Sequence, residues 1–541
     1  MTEKLAILWP EIFLFIATCL VMITGQWPAR AIRAFTPWIC GLALFVAFGA
    51  AMVSPGSGAT NGGMFPEIVP YAKMLIAGVG MLILMLLGGT VDRQLEAEVD
   101  QGKPFSSIRS NRGEFYAFFM FSITGLMLTA SADDLIWLFL SLELTSLPTY
   151  IMVAISTERK RSLEAAVKYF FLGALGAAIF LYGFALIYGA TGSTNLGEIA
   201  AVFATQSANG GISSLGMMGL LIAIIGVSFK IAAVPMHFYT PDVYQGAASP
   251  VAAMLAFVPK TAGFLALIFL LGTVGWGDSG HLPVEIEATL WIMAALTMTV
   301  GNVLALLQSS VKRILAYSSI AHSGYMLVGL IAGPGLAGGP FYENGIAAVL
   351  FYLLTYGVMT VGAFAVIASL EHRNGDEADH MDDIRGICKS HPVLGWTFVI
   401  CTLSMLGFPP LLGFLGKVGL FTSGVAAGQY ALIVILGINS AIAACYYLRL
   451  VAAAYLDDGS KTNTIFPSPF ATRKVAGVVS AFFVLFLLVF AQPMIAGASK
   501  ASSYVPATAG SIVHPAEHHE PDAHHSLAAP TAAGEEIALI D

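Results

Sequence analysis

The sequence predicts an all-α polytopic membrane protein with about fourteen transmembrane helices, on three observations. Hydrophobic residues make up 57% of the 541 and charged residues only 11%, against about 25% charged in soluble domains. Apolar runs reaching the roughly 18–20 residues needed to span hydrocarbon recur along most of the chain. The lysines and arginines between those runs fall almost entirely on alternate loops. A soluble enzyme is excluded by this composition, and there is no basic nucleic-acid face, nucleophile triad or phosphate loop. The net charge of -8 is carried in part by the tail and says little about partners.

The first run, 5–25, has no basic start and no small-x-small cleavage site, so it is expected to be a retained helix rather than a signal peptide. With 32–53 and 71–91 it forms an N-terminal group of three within 1–110; the stretch SPGSGATNGG at 54–63 reads as a flexible turn without chemistry. Runs at 114–131, 133–154, 163–190, 213–244 and 248–274 make one group of five, and 286–308, 311–332, 342–370, 392–424 and 428–456 another. A last run covers 474–497. Two runs, 213–244 and 392–424, are too long for one ordinary crossing, and each sets prolines beside a lysine: Pro235 after Lys230, and Pro409–Pro410 before Lys417. Proline removes a backbone donor and clashes with the preceding turn, so both are expected to break inside the membrane. Breaks at corresponding places predict two inverted five-helix repeats, 114–274 and 286–456, with the site at the breaks. An ordinary kink is the competing reading for either alone.

Alternating the loops puts seventeen Lys and Arg on one side and three, Lys4, Lys73 and Lys500, on the other. Basic loops stay in the cytoplasm, so both termini are expected on the periplasmic face of a bacterial inner membrane. The tail 498–541, with His514, His518, His519, His524 and His525, reads as a disordered His-rich segment, weak metal binding being the alternative. The five cysteines have no ligand spacing and read as small packing residues.

Charged residues inside the runs are the functional candidates, because a lysine at mid-bilayer costs about 2.5–3.5 kcal/mol and usually lines a hydrated path. Glu143 lies in DDLIWLFLSLELTSLPTY, where only a basic partner or water would make its charge tolerable. Asp133 and Asp134, at the start of that run, are expected to cap the helix and face water. Lys230 and Lys260 lie thirty residues apart on consecutive runs, and Lys417 occupies the second broken one. An amine removed from water can give up its proton near neutral pH, whereas a guanidinium cannot. Lys168 fits two roles equally, modulating Glu143 or reaching the cytoplasmic surface. His237 and His322 are either proton relays or packing histidines. Arg449 reads as a snorkelling or structural charge.

MHFYTPDVYQGAASPVAAMLAFVPKTAGF, KRILAYSSIAHSGYM and GFPPLLGFLGKVGLF resemble the signatures of the antiporter-like subunits of respiratory complex I and their antiporter relatives. DVYQG followed by VPKTAGF, with Lys417 where a sister subunit carries glutamate, is most similar to the subunit N branch, and the resemblance covers nearly all the runs. It implies Glu143 with Lys230 as the charge pair, Lys260 as the central relay, Lys417 near the exit, and Lys168 and His237 as secondary. It implies partners among the other membrane-arm subunits, sister antiporter-like subunits included, and no flavin, iron–sulfur cluster or quinone in this chain. FMN and the clusters would lie elsewhere in an assembly that oxidises NADH and reduces a quinone. Absence of a long lateral helix after the last run argues against the largest sister subunit. The alternatives are a subunit of a multi-subunit cation/proton antiporter and a non-pumping scaffold. Four ionisable groups within four crossings weigh against a scaffold.

Overall fold

The computed structural model describes residues 6–54, 60–157, 160–277, 280–335, 339–372, 377–456 and 465–506. The N-terminal helices are α1 (Trp9–Gly25), α2 (Arg30–Val53), α3 (Ile68–Leu87) and the short amphipathic α4 (Arg93–Asp100). Next come α5 (Arg112–Ala130), α6 (Leu135–Ile155), α7 (Lys160–Thr191), α8 (Leu196–Ala208), α9 (Ser214–Val227), α10 (Thr240–Gly246) and α11 (Ser249–Val274). The second half holds α12 (Val284–Leu306), α13 (Val311–Ala332), α14 (Gly345–Ala368), α15 (Ile387–Ser390), α16 (Pro392–Leu406), α17 (Leu412–Ala426) and α18 (Tyr430–Tyr455). The chain closes with α19 (Ala471–Val489) and α20 (Ala491–Ala501).

Eleven of these helices are long and apolar enough to cross a membrane. Capping side chains fix several starts: Asp134 accepts from Trp137 N at 2.7 Å before α6, and Asn344 from Ala347 N at 2.8 Å before α14. Both proline-bearing runs are broken. The first becomes α9, an irregular stretch over 228–239 and the short α10; the second becomes α16 and α17 across Gly407–Leu411. The Val234–Pro235 and Pro409–Pro410 peptides, one in each break, are cis. At the centre stand α11 and α13, whose apolar spans are wholly enclosed by other helices.

Several expectations are corrected. The fold is all-α as expected, with one addition, a small antiparallel pair of β1 (Leu370–His372) with β2 (Ile465–Pro467). It ties the end of α14 to the start of α19, where Glu371 meets Arg93 at 2.6 Å and Arg473 at 3.4 Å. The last run is two helices, not one. Residues 498–506 are docked rather than disordered, Tyr504 donating to Gly272 O at 2.9 Å and packing on Phe65 and Trp276. The five tail histidines lie outside the described residues. Asp133 does not face water; it is buried beside the main-chain bond from Leu196 N to its own carbonyl. Lys73 is no loop charge. It is fully buried against Glu11, so it drops out of the count of basic loop residues, as does the buried Arg33 on the opposite side of that count. The cysteines are all free: Cys40, Cys388 and Cys401 are buried, Cys19 and Cys445 exposed.

Candidate functional site

Glu143 lies mid-way along α6 with Ser146 one turn on, and both face the first break. Lys230, in the irregular stretch after α9, donates to Glu143 Oε1 at 2.9 Å and Ser146 Oγ at 2.8 Å. Gly263 on α11 lets that stretch close in, since a Cβ there would stand 3.0 Å from Lys230 Cβ and 2.6 Å from Ile231 Cγ2. Lys230 is thus packed one turn from Lys260. Ser323 of α13 donates to Ile231 O, and Ser319, a turn earlier, accepts from Lys260 Nζ through both its carbonyl and its Oγ, the latter at 2.7 Å.

From Lys260 the polar row continues across α13. The amine lies 4.6 Å from the Tyr356 ring centroid. His322 follows, its Nδ1 meeting the Tyr352 hydroxyl at 2.7 Å and its Nε2 the Tyr447 hydroxyl at 2.9 Å. A neutral imidazole donates from one nitrogen and accepts at the other, so both hydroxyls are satisfied in either tautomer. Tyr447 also meets Ser318 Oγ. Lys417 on α17 closes the row: its amine sits 5.1 Å from the Tyr325 ring and donates at 2.7 Å to Leu406 O, at the severed C-terminal end of α16. A helix C-terminus presents unpaired carbonyls and a partial negative charge, which suits an ammonium. Lys230, Lys260, His322 and Lys417 are all between 1% and 9% exposed. Among the described residues neither Lys260 nor Lys417 has a carboxylate within ion-pair distance. Amines that can hold or release a proton, joined by hydroxyls and an imidazole that pass one either way, are equipped for proton relay.

The transmembrane family shared by NADH:quinone oxidoreductase and the Mrp antiporter matches residues 132–443. NADH-quinone oxidoreductase subunit N of Trichlorobacter lovleyi is 35% identical over 466 residues, 85% of this chain and 89% of that one. The Sorangium cellulosum subunit N 1 is 39% identical over 423 residues, covering 78% and 80%. The chain belongs to the NADH-quinone oxidoreductase subunit N family. A chain of respiratory complex I from Thermus thermophilus superposes with a TM-score of 0.70 at 31% identity, covering 90% of this chain and 98% of its own. The Mrp complex from Dietzia sp. shares the fold alone, with a TM-score of 0.71 at 17% identity over 93% and 97%.

In this member of the subunit N family two expected participants fall outside the row. Lys168 is not beside Glu143. It lies half-exposed on α7, paired with Glu164 at 2.8 Å and Asp242 at 3.0 Å. His237 is buried against Phe238, its Nδ1 without a hydrogen-bond partner, and contacts none of the three lysines through any hydrogen bond. Arg449 is structural: it caps the end of α12 through Leu306 O at 3.1 Å and Gln308 O at 2.8 Å. Sequence reasoning missed Ser146, Ser319, Tyr352 and Tyr447. The available signal was the spacing of hydroxyl residues three or four positions from a candidate charge, as in Ser319 with His322 and Ser323.

Sequence reasoning also missed two further buried pairs. Lys73 reaches both carboxylate oxygens of Glu11, at 2.7 and 2.9 Å, and Ile7 O at 2.6 Å, while Ser131 Oγ donates to Glu11 Oε1 at 3.4 Å. Lys312 spans Ala247 O at 3.0 Å and Glu377 at 2.8 Å, while Glu377 accepts from Ser249 N and Oγ at the start of α11. Burial pushes the Glu377 carboxyl up, but Lys312, Ser249 and Arg473 outweigh it and hold it below the usual carboxylate range. Among the described residues no cluster of three or more His, Cys, Asp or Glu is arranged to hold a metal.

Proposed function

We propose that this chain is a proton-translocating membrane-arm subunit of NADH-quinone oxidoreductase. Glu143 with Lys230 is the switchable charge pair, Lys260 the central relay, His322 the bridge and Lys417 the group nearest the exit. The observation that carries this reading is the row of hydrogen-bonded polar groups at Lys230, Lys260, His322 and Lys417, set side by side by packing and ring contacts from the first break to Leu406 O. Quinone reduction in other subunits would alter the electrostatics at Glu143. As Glu143 moves towards or away from Lys230 the proton affinity of that amine changes, and a proton is passed through Lys260 and His322 to Lys417. Moving one charge against 100 mV costs about 2.3 kcal/mol, and a hundredfold change in proton affinity corresponds to about 2.7 kcal/mol. Rearranging a single pair is therefore of the right size.

The same reading takes the chain as fourteen crossings: three N-terminal helices within 1–110, inverted repeats over 114–274 and 286–456, and a last segment over 474–497. The two broken helices support it. Basic loops would face the cytoplasm of a bacterial inner membrane, sister antiporter-like subunits would flank the chain, and FMN and iron–sulfur clusters would reside in partner subunits. The test replaces Lys260 by Met in the assembled complex in inverted membrane vesicles. Loss of NADH-driven acidification is expected. Unchanged acidification would reject the row, and a sodium requirement without any NADH:quinone activity would favour a cation/proton antiporter instead.

A further inference from the structure

The Lys230 amine is enclosed in protein beside a Glu143 carboxylate that is only partly buried, and a layer of tyrosines beside the pair is not used by the lysine row. Tyr150 lies on α6 four residues after Ser146 and seven after Glu143, on the same helical face. Its ring stands perpendicular to Tyr169 of α7, with centroids 4.5 Å apart. Tyr169 lies parallel to Tyr239, at 5.1 Å and an interplanar angle of 10°. Phe229 closes the remaining side, 4.4 Å from Tyr239 and 6.0 Å from the Lys230 amine. All four rings are buried.

Beyond this layer the chain is charged and half-exposed. Lys168, next to Tyr169, pairs with Asp242, three residues after Tyr239; Asp242 also binds Arg313 at 2.8 Å. The tyrosines therefore separate an exposed charged mouth from the buried Lys230 amine. Two hydroxyls within the layer, Tyr150 Oη and Thr240 Oγ1, are buried with no hydrogen-bond partner. Buried polar atoms are rarely left so, and ordered water is the usual remedy. Gly173 makes the room for one of them, since a Cβ there would fall 2.0 Å from Tyr150 Oη. Thr149 Oγ1 bridges towards the Tyr169 hydroxyl at 3.4 Å. Phe229 offers a carbon ring and a main-chain carbonyl that already accepts from the Tyr239 hydroxyl at 2.9 Å, so a path through this layer runs along the phenols of Tyr150 and Tyr169.

We propose that Tyr150 and Tyr169, with Tyr239 stacked on them and its hydroxyl held by Phe229 O, form an entry ladder carrying protons from the mouth at Asp242 and Lys168 to Ser146, Lys230 and Glu143, with water completing the steps at Thr240 and Tyr150. This rests on the proton-translocating reading. At each rung one O–H bond forms as the same oxygen releases its own proton onward. A single proton leaves water at the mouth and ends on the amine or carboxylate, and no ring keeps a charge. Lys168 and Asp242 act as the hydrated mouth rather than as relays.

The test measures proton uptake by the assembled oxidoreductase in inverted vesicles, relative to the amount of assembled complex, in H2O and D2O. Tyr150→Phe with Tyr169→Phe keeps the rings and removes two oxygens. Proton flux is expected to fall about a hundredfold, the low end of what a positioned proton-transfer group contributes, with a larger solvent isotope effect. Wild-type flux with an unchanged isotope effect overturns the ladder. If the double variant fails to assemble, Tyr150→Phe alone decides, because the oxygen it removes has no protein partner. Lys230→Met, run in parallel, separates the two readings. Pumping that survives it sinks the lysine row, whereas its loss beside a fully active tyrosine variant sinks only the ladder.

Discussion

Two buried pairs in this chain use the same three groups, a glutamate, a lysine and a serine, for different ends. Glu143–Lys230–Ser146 sits at a broken helix, and Lys230 is held by one carboxylate oxygen and one hydroxyl. Beside it run the Ser323, Ser319 and Lys260 contacts that lead to His322. Glu11–Lys73–Ser131 joins α1, α3 and the end of α5, and there the amine grips both carboxylate oxygens and a carbonyl at once. The residues that follow it on α3, Leu75, Ile76 and Ala77, are buried hydrophobics. A buried lysine and its ion pair are common to both. What differs is freedom and connection, and those, rather than the charge itself, distinguish a switch from a clasp.

Removing the amine at each place gives the largest test of that contrast. Lys230→Met should end NADH-driven proton movement in vesicles while leaving the complex assembled. Lys73→Met should strand Glu11 in apolar surroundings and cost about 3–5 kcal/mol of stability, lowering the yield of assembled complex, yet what assembles should pump normally. A Lys73→Met complex that assembles well and fails to pump would erase the distinction. A smaller effect comes from Lys73→Met combined with Glu11→Gln, which should recover much of the lost thermal stability, because the uncompensated charge is gone.

The serines sharpen the comparison further. Ser146→Ala removes a hydrogen bond to a charged group, about 1.5 kcal/mol, and should slow proton flux roughly tenfold. Ser131→Ala, whose contact with Glu11 is 3.4 Å long, should change thermal stability by less than about 0.5 kcal/mol. A pH-dependent effect lies at the third pair, Glu377–Lys312. The folded carboxyl of Glu377 is held below its ordinary value of about 4.3, so its contribution is present above that pH and is lost as pH falls through the lower folded value. Thermal melts should be flat from neutral pH to about pH 5 at this site and decline below about pH 4, and Lys312→Met should remove that part of the decline.

The lysine row was legible because a charge within an apolar run is costly and conspicuous, and the prolines beside Lys230 and Lys417 marked the breaks. Glu11 and Lys73 were not. Glu11 opens a run and Lys73 stands near the start of another, so each passes for an interfacial charge, and a separation of 62 positions carries no local sign of pairing. Lys168 stayed open between two roles because run boundaries do not say which face of α7 turns inward. Tyr352 and Tyr447 stayed hidden for a related reason. Tyrosine is ordinary in membrane helices, and only the packing of α14 and α18 against α13 brings their hydroxyls to His322. The hairpin β1–β2 pairs segments 95 positions apart, beyond any local pattern.

One feature of the fold bears on how the chain is made. Helix α13, with Ser318, Ser319, His322, Ser323 and Tyr325 along it, is finally walled in on every side, yet α14, α17 and α18, which supply much of that wall, are synthesised after it. During translation its hydroxyls and imidazole must therefore wait in lipid, or at the insertion machinery, for shelter that does not yet exist. A chain truncated after α13 would present that unsheltered surface to the bilayer, which makes the late helices guardians of an earlier one.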